Sequence, residues 1–62
     1  MSQQTGKRMH IGSNVITKGN PSNLGIIIER PALYGFWVVR WLRGENRGHI
    51  RIYDENKLEL AS

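Results

Sequence analysis

The apolar positions of this 62-residue chain fall into short runs cut by turn formers. Asn-Val-Ile-Thr-Lys (14–18) ends at Gly-Asn-Pro-Ser-Asn (19–23), where each residue favours a turn through its own backbone preference. Gly-Ile-Ile-Ile-Glu-Arg (25–30) is β-branched and stops before Pro31, which has no N–H to give a ladder. Phe-Trp-Val-Val-Arg-Trp-Leu (36–42) is a long aromatic and β-branched run. Arg-Gly-Glu-Asn-Arg-Gly (43–48) reads as a hairpin loop, and His-Ile-Arg-Ile-Tyr (49–53) alternates with period two. Asp-Glu-Asn-Lys (54–57) predicts one helical or 3-10 turn, and Leu-Glu-Leu-Ala (58–61) a last short strand. No long stretch shows a helical apolar period, so no substantial helix is expected. Five strands at this spacing predict an all-β, strongly bent sheet that closes into a small barrel and so removes its exposed edges.

Alternation sorts the faces. Trp37, Val39 and Trp41 lie on one side of the third strand, and Phe36, Val38 and Arg40 on the other. The need of Arg40 for water places Val39 and Trp41 inside. On the fourth strand Ile50 and Ile52 share one face, and His49, Arg51 and Tyr53 the opposite one. The expected core is therefore Val15, Ile26, Ile28, Val39, Ile50, Ile52 and Leu58, with Leu60 beside it. Phe36, Val38, Arg40, Arg51 and Tyr53 are then expected together as an outward aromatic and basic patch. Because the longest strand is apolar on both faces, its second face calls for a cover, and a second subunit of a homo-oligomer is one expected cover.

Composition narrows the class. A single domain of this length buries only about 60% of the surface its unfolded chain exposes. With no cysteine, neither disulfides nor cysteine-based zinc sites help it. His10 and His49 have no co-ligand at metal-binding spacing, so neither metal nor cofactor is expected. The apolar runs are too short to span a bilayer, and the stretch from Met1 to Gly12 lacks the apolar segment of a secretory signal. The expected location is the cytoplasm, with no membrane partner. Residues 1–10, carrying Lys7 and Arg8, read as a flexible basic arm ahead of the folded part, residues 11–62. Nine Lys and Arg against five Asp and Glu give a formal charge of +4, which favours acidic partners, nucleic acid first.

No residue set points to a self-contained active site, and no catalytic residue is assigned. The stretch from Gly19 to Gly25 has no helix behind it and no lysine placed to meet a phosphate. Ser13, Ser22 and Ser62 have no evident base, while Glu45, Asp54, Glu55 and Glu59 read as solvated surface. The interleaving of rings and arginines is the one constellation with a chemistry. Rings offer stacking faces, and guanidinium groups pair with phosphate or carboxylate beside them. Tyr34, Phe36, Arg40, Arg51 and Tyr53 make that platform, Arg43 and Arg47 extend it into the hairpin loop, and His49 joins it.

Residues 12–60 resemble a known class in the order Gly-x-x-Val (12–15), a turn, Gly-x-Ile (25–27), Val-x-Trp (39–41) and Leu-x-Leu (58–60). They look like the small SH3-like barrels that include KOW- and Tudor-type modules, and like short barrel proteins of bacteriophage and mobile elements. That resemblance implies a five-stranded SH3-like barrel with a short 3-10 turn before the last strand, acting as a binding module. A narrower similarity is to the plasmid-borne, trimethoprim-insensitive dihydrofolate reductases, which are SH3-like homotetramers with one active pore. Residues 12–28 fit the first two strands of that family without a gap. Ile50-Arg51-Ile52-Tyr53, with Leu58 following, matches its Val-Gln-Ile-Tyr and next leucine. The similarity implies that Arg51, Ile52 and Tyr53 line the pore, and that Thr17 and Lys18 occupy a pair of lysine positions. The chain departs from it where Arg51 replaces the glutamine that contacts cofactor and substrate, and where Thr17 replaces the first lysine. Its loop between the third and fourth strands is also longer.

The expected function is a non-enzymatic binding module that takes nucleic acid, DNA or RNA, on Tyr34, Phe36, Arg40, Arg43, Arg47, His49, Arg51 and Tyr53. Two alternatives stand beside it. One is a protein-interaction module of phage or mobile-element type, taking an acidic protein or a second copy on the apolar face of the third strand. The other is a homotetramer resembling the reductases.

Overall fold

A computed structural model describes residues 9–61. Most of the expected basic arm, residues 1–8, lies outside the described residues. Five antiparallel strands, β1 (Asn14–Thr17), β2 (Asn20–Glu29), β3 (Phe36–Arg43), β4 (Ile50–Asp54) and β5 (Leu58–Leu60), form one sheet in the order β4-β3-β2-β1-β5. Among the described residues the one helical element is a 3-10 turn, Glu55–Lys57, just before β5. The chain is all-β, with the strand count and the turn that its punctuation predicts.

β2 begins at Asn20, ahead of the expected start at Gly25. Lys18 and Gly19 alone make the turn, Gly19 at φ +78°, so that Thr17 pairs with Asn20. The register shifts between Ile16 and Thr17, and Pro21 falls in this irregular stretch, where the ladder asks for no N–H from it. The Asn20 Oδ1 accepts the Ser22 N–H at 3.3 Å and fixes the entry.

The core lies on one face. Val15, Ile27, Trp37, Val39, Trp41 and Leu58 are buried in a single cluster, with Met9, Tyr53 and Leu60 packed at its margin. The expected placement of Ile26, Ile28, Ile50 and Ile52 inside is corrected: Ile26 is half-buried and the other three are exposed, all turned away from this cluster. On β2, three isoleucines in a row do not choose a side, and the pairing of Ile27 with Val39 does. On β4, the pairs Trp37–Tyr53 and Val39–Arg51 put Tyr53 on the tryptophan side. Ring volume favours this arrangement, because Trp37, Trp41 and Tyr53 together fill the inner face. Tyr53 meets Trp41 edge-on, 5.1 Å between ring centroids and 65° between planes. Gly25, opposite Trp41, leaves the room: a Cβ there would lie 2.6 Å from Val39 Cγ1 and 2.8 Å from Trp41 Cε3.

The short link between β4 and β5 curls the sheet around this core. Laid flat, five strands would hold their outer members about 19 Å apart. The four Cα-to-Cα steps from Asp54 to Leu58 reach at most about 14 Å when extended, and less through a 3-10 turn. Asp54 caps that turn by accepting the Asn56 N–H at 2.8 Å, and Lys57 O accepts the Lys18 N–H at 3.0 Å. No ladder joins β4 to β5 among the described residues, so the curled sheet is open along that seam.

Candidate functional site

The face turned away from the core is itself apolar. Register builds it in rows: Ile26, Arg40 and Ile50 lie side by side, Val38 lies beside Ile52, and Phe36 beside Asp54. Leu42 and Ile28 stand at two register shifts of the β2–β3 pair and are exposed. Ile50 is 58% and Ile52 59% exposed, though both sit on a regular strand beside apolar neighbours. Arg40 is the one cation in the middle of this surface.

The expected ring-and-arginine platform does not assemble on one surface, and that expectation is corrected. Phe36, Val38 and Arg40 are on the outer face, whereas Arg51 and Tyr53 pair with Val39 and Trp37 and belong to the inner one. Tyr53 is half-buried against Trp41, and its hydroxyl accepts the Asn46 Nδ2–H at 3.4 Å. Phe36 is half-buried. Tyr34 is 94% exposed, but it stands in the loop before β3, a strand's length of about 25 Å from Arg43. Arg43 and Arg47 do come to one place. They line an open concavity with Pro21, Ser22, Gly44 and Glu45 at the hairpin end. His49 is exposed, and its backbone closes the hairpin through Trp41 N–H to His49 O at 3.0 Å.

Two polar features pin the inner face. The Trp37 Nε1–H donates to Glu55 Oε1 at 3.1 Å, and the Arg30 guanidinium lies 4.8 Å above the Trp37 ring, so one indole ties β3 to the 3-10 turn and to the end of β2. At the other end, Asn23 Nδ2 donates to Thr17 Oγ1 at 3.2 Å, while Asn23 Oδ1 and Trp41 Nε1 are buried with no hydrogen-bond partner among the described residues. The Asn23 oxygen faces the Cα of Gly44, which sits at φ +99° and has no room for a Cβ on that side. A Cα–H of Gly44 is thus its nearest substitute for a donor.

Neighbouring residues Arg51, Ile52 and Tyr53 alternate across the sheet, so a pore lining of these three would draw on both faces. Ser13 Oγ accepts the backbone N–H of His10 at 3.0 Å, and the His10 ring turns to Ile11 O at 2.9 Å, so the two side chains do not form a nucleophile–base pair. Among the described residues no group of three or more His, Cys, Asp or Glu gathers at metal-binding distance, and no helix is long and apolar enough to cross a membrane. Sequence reasoning missed Ile26, Ile28, Ile50 and Ile52 as surface residues. The signal was present in the third strand, whose outward Arg40 marks the face that they share. Comparison with protein-family models, curated proteins and solved structures gives no match.

Proposed function

We propose that the chain is a non-enzymatic binding module that docks a protein partner on its outer sheet face. The strand order and the 3-10 turn before β5 support reading the fold as an SH3-like barrel left open along one seam. The observation that carries the function is the exposure of Ile50 and Ile52, each more than half, on a surface continuous with Ile26 and Val38. Covering a fully exposed isoleucine yields roughly 1.5–3 kcal/mol, so these two side chains alone offer about 2–3 kcal/mol to a partner. An exposed arginine pair adds about 1 kcal/mol or less in salt water. Apolar contact therefore sets the affinity, and the surplus of arginine speeds encounter with an acidic surface.

A second reading is favoured by the concavity between Arg43 and Arg47, where a nucleic-acid phosphate has two guanidinium groups to meet. Without an assembled stacking platform this binding rests on backbone charge and is expected to be salt-sensitive. One experiment separates the two readings. A photoreactive residue replaces Ile52, and in a control Lys57, and the chain is irradiated in its cell of origin. The docking reading predicts adducts from position 52 that resist nuclease and form equally well at about 50 and 200 mM salt in lysate. Nuclease-sensitive adducts from position 52 contradict it, as does the absence of any adduct there.

A further inference from the structure

β4 is an edge strand, and its backbone bonds fix which residues face the edge. Trp41 N–H donates to His49 O at 3.0 Å and Trp41 O accepts the Gly48 N–H at 2.9 Å; at the far end Glu55 N–H donates to Gly35 O at 2.9 Å. Residues of an antiparallel strand bond alternately to one side and the other. Arg51 and Tyr53, opposite Val39 and Trp37, therefore bond β3, and Ile50 and Ile52 turn their N–H and C=O groups to the open edge. The same two residues carry the most exposed isoleucine side chains of the outer face.

Sheets usually blunt such an edge. β5, at the opposite edge, has three residues, with Glu59 in the middle. β4 has five residues and no proline, its register with β3 runs without a shift, and its one mid-strand charge is Arg51 on the inner side, which disfavours an apolar neighbour there but not an acidic one. Among the described residues it offers both an unpaired ladder and an apolar flank.

We propose that β4 receives an extended acidic segment of a partner protein as a sixth strand, a mode of recognition that rests on the outer-face reading above. Alternation states the chemistry of the incoming strand. Its outward side chains fall beside Ile50 and Ile52 and are apolar. Its inward side chains fall beside Arg51, which is exposed on the inner side, and are acidic. Arg40, next to Ile50 on the outer face, and Arg43 and Arg47 at the hairpin end add to the same preference. Charge selects this occupant over a second copy of the chain, which would bring another +4 to the same edge. The N-terminal segment Met1–Arg8 does not match either, since it ends in Lys7 and Arg8 and has no alternating apolar pattern.

The test uses the full chain, labelled with nitrogen-15, and a capped peptide of alternating isoleucine and glutamate. Two control peptides have lysine in place of glutamate, or N-methyl groups along one edge. The acidic peptide is expected to slow amide exchange at Ile50 and Ile52, and to bind at least about tenfold more tightly than the lysine peptide. Arg51→Ala is expected to shrink that ratio, and N-methylation to abolish the protection. If the acidic peptide and its N-methylated form perturb Ile26, Val38 and Ile52 equally without protecting the edge amides, strand addition is wrong while face docking stands. If no peptide perturbs the outer face and position 52 gives no adduct, both fail. A sedimenting dimer whose Ile50 and Ile52 amides are already protected without peptide also overturns the proposal, because the occupant is then a second copy.

Discussion

Gly25 is the residue on which the inner face most depends. Trp41 and Val39 crowd onto its α-carbon, and the smallest side chain would meet both of them and the Arg40 carbonyl at 3.1 Å. Gly25→Ala should therefore destabilise by about 1–3 kcal/mol, the usual cost of overpacking, and lower the urea midpoint without changing the slope. A neutral result would mean that the indole does not lie over this strand. The two tryptophans invite a second comparison. Trp37→Phe loses a hydrogen bond to Glu55 and the stacked Arg30 as well as volume. Trp41→Phe loses similar volume but removes a buried N–H that has no acceptor among the described residues, a group whose burial costs about 1–3 kcal/mol. The Trp37 variant should be the less stable of the two in the same denaturant series, and the reverse order would place the unpartnered indole at position 37.

Elements carry the sidedness. Ile27 packs under Val39 while Ile28, one residue away, is 38% exposed, so Ile27→Ala should cost about 2–5 kcal/mol and Ile28→Ala clearly less. Equal effects would contradict the parity of β2. This parity was not legible in the chain, because Ile26-Ile27-Ile28 has no alternation to read. The β4 parity was hidden for another reason. A hairpin loop sets whether odd residues of one strand oppose odd or even residues of the next. Here Arg47 N–H to Gly44 O at 3.1 Å and His49 N–H to Asn46 O at 2.9 Å shape a loop that sets Trp37 opposite Tyr53. The composition Arg-Gly-Glu-Asn-Arg-Gly signals a loop but not that choice. By contrast Arg40 fixed the outer side of β3 correctly, since a cation in the middle of an apolar strand has to find water. The turn before β5 was equally readable in Asp-Glu-Asn-Lys (54–57), and the structure adds that Asp54 caps it. Asp54→Ala should cost about 0.5–2 kcal/mol by thermal or chemical melting, and a null effect would remove the cap from the list of what curls the sheet.

As a whole the described residues form one curled sheet with two apolar surfaces, and among them only the inner one is enclosed. A chain this short has one small core, so most of its remaining isoleucines are left on the outer face, with Arg40 among them. If the outer face docks a partner as proposed, stability and binding separate: changes on the inner face destabilise the domain, and changes on the outer face leave it folded and weaken docking. Ile52→Lys should accordingly melt within about 0.5 kcal/mol of the parent yet lose adducts from a photoreactive group at Ile50. The most direct measurement is methyl relaxation of the free chain with a soluble paramagnetic agent. The methyl groups of Ile28, Ile50 and Ile52 should relax strongly, and those of Val15, Ile27 and Val39 should be shielded. Shielded Ile50 and Ile52 with an accessible Ile27 would reverse the two faces and remove the docking surface with them.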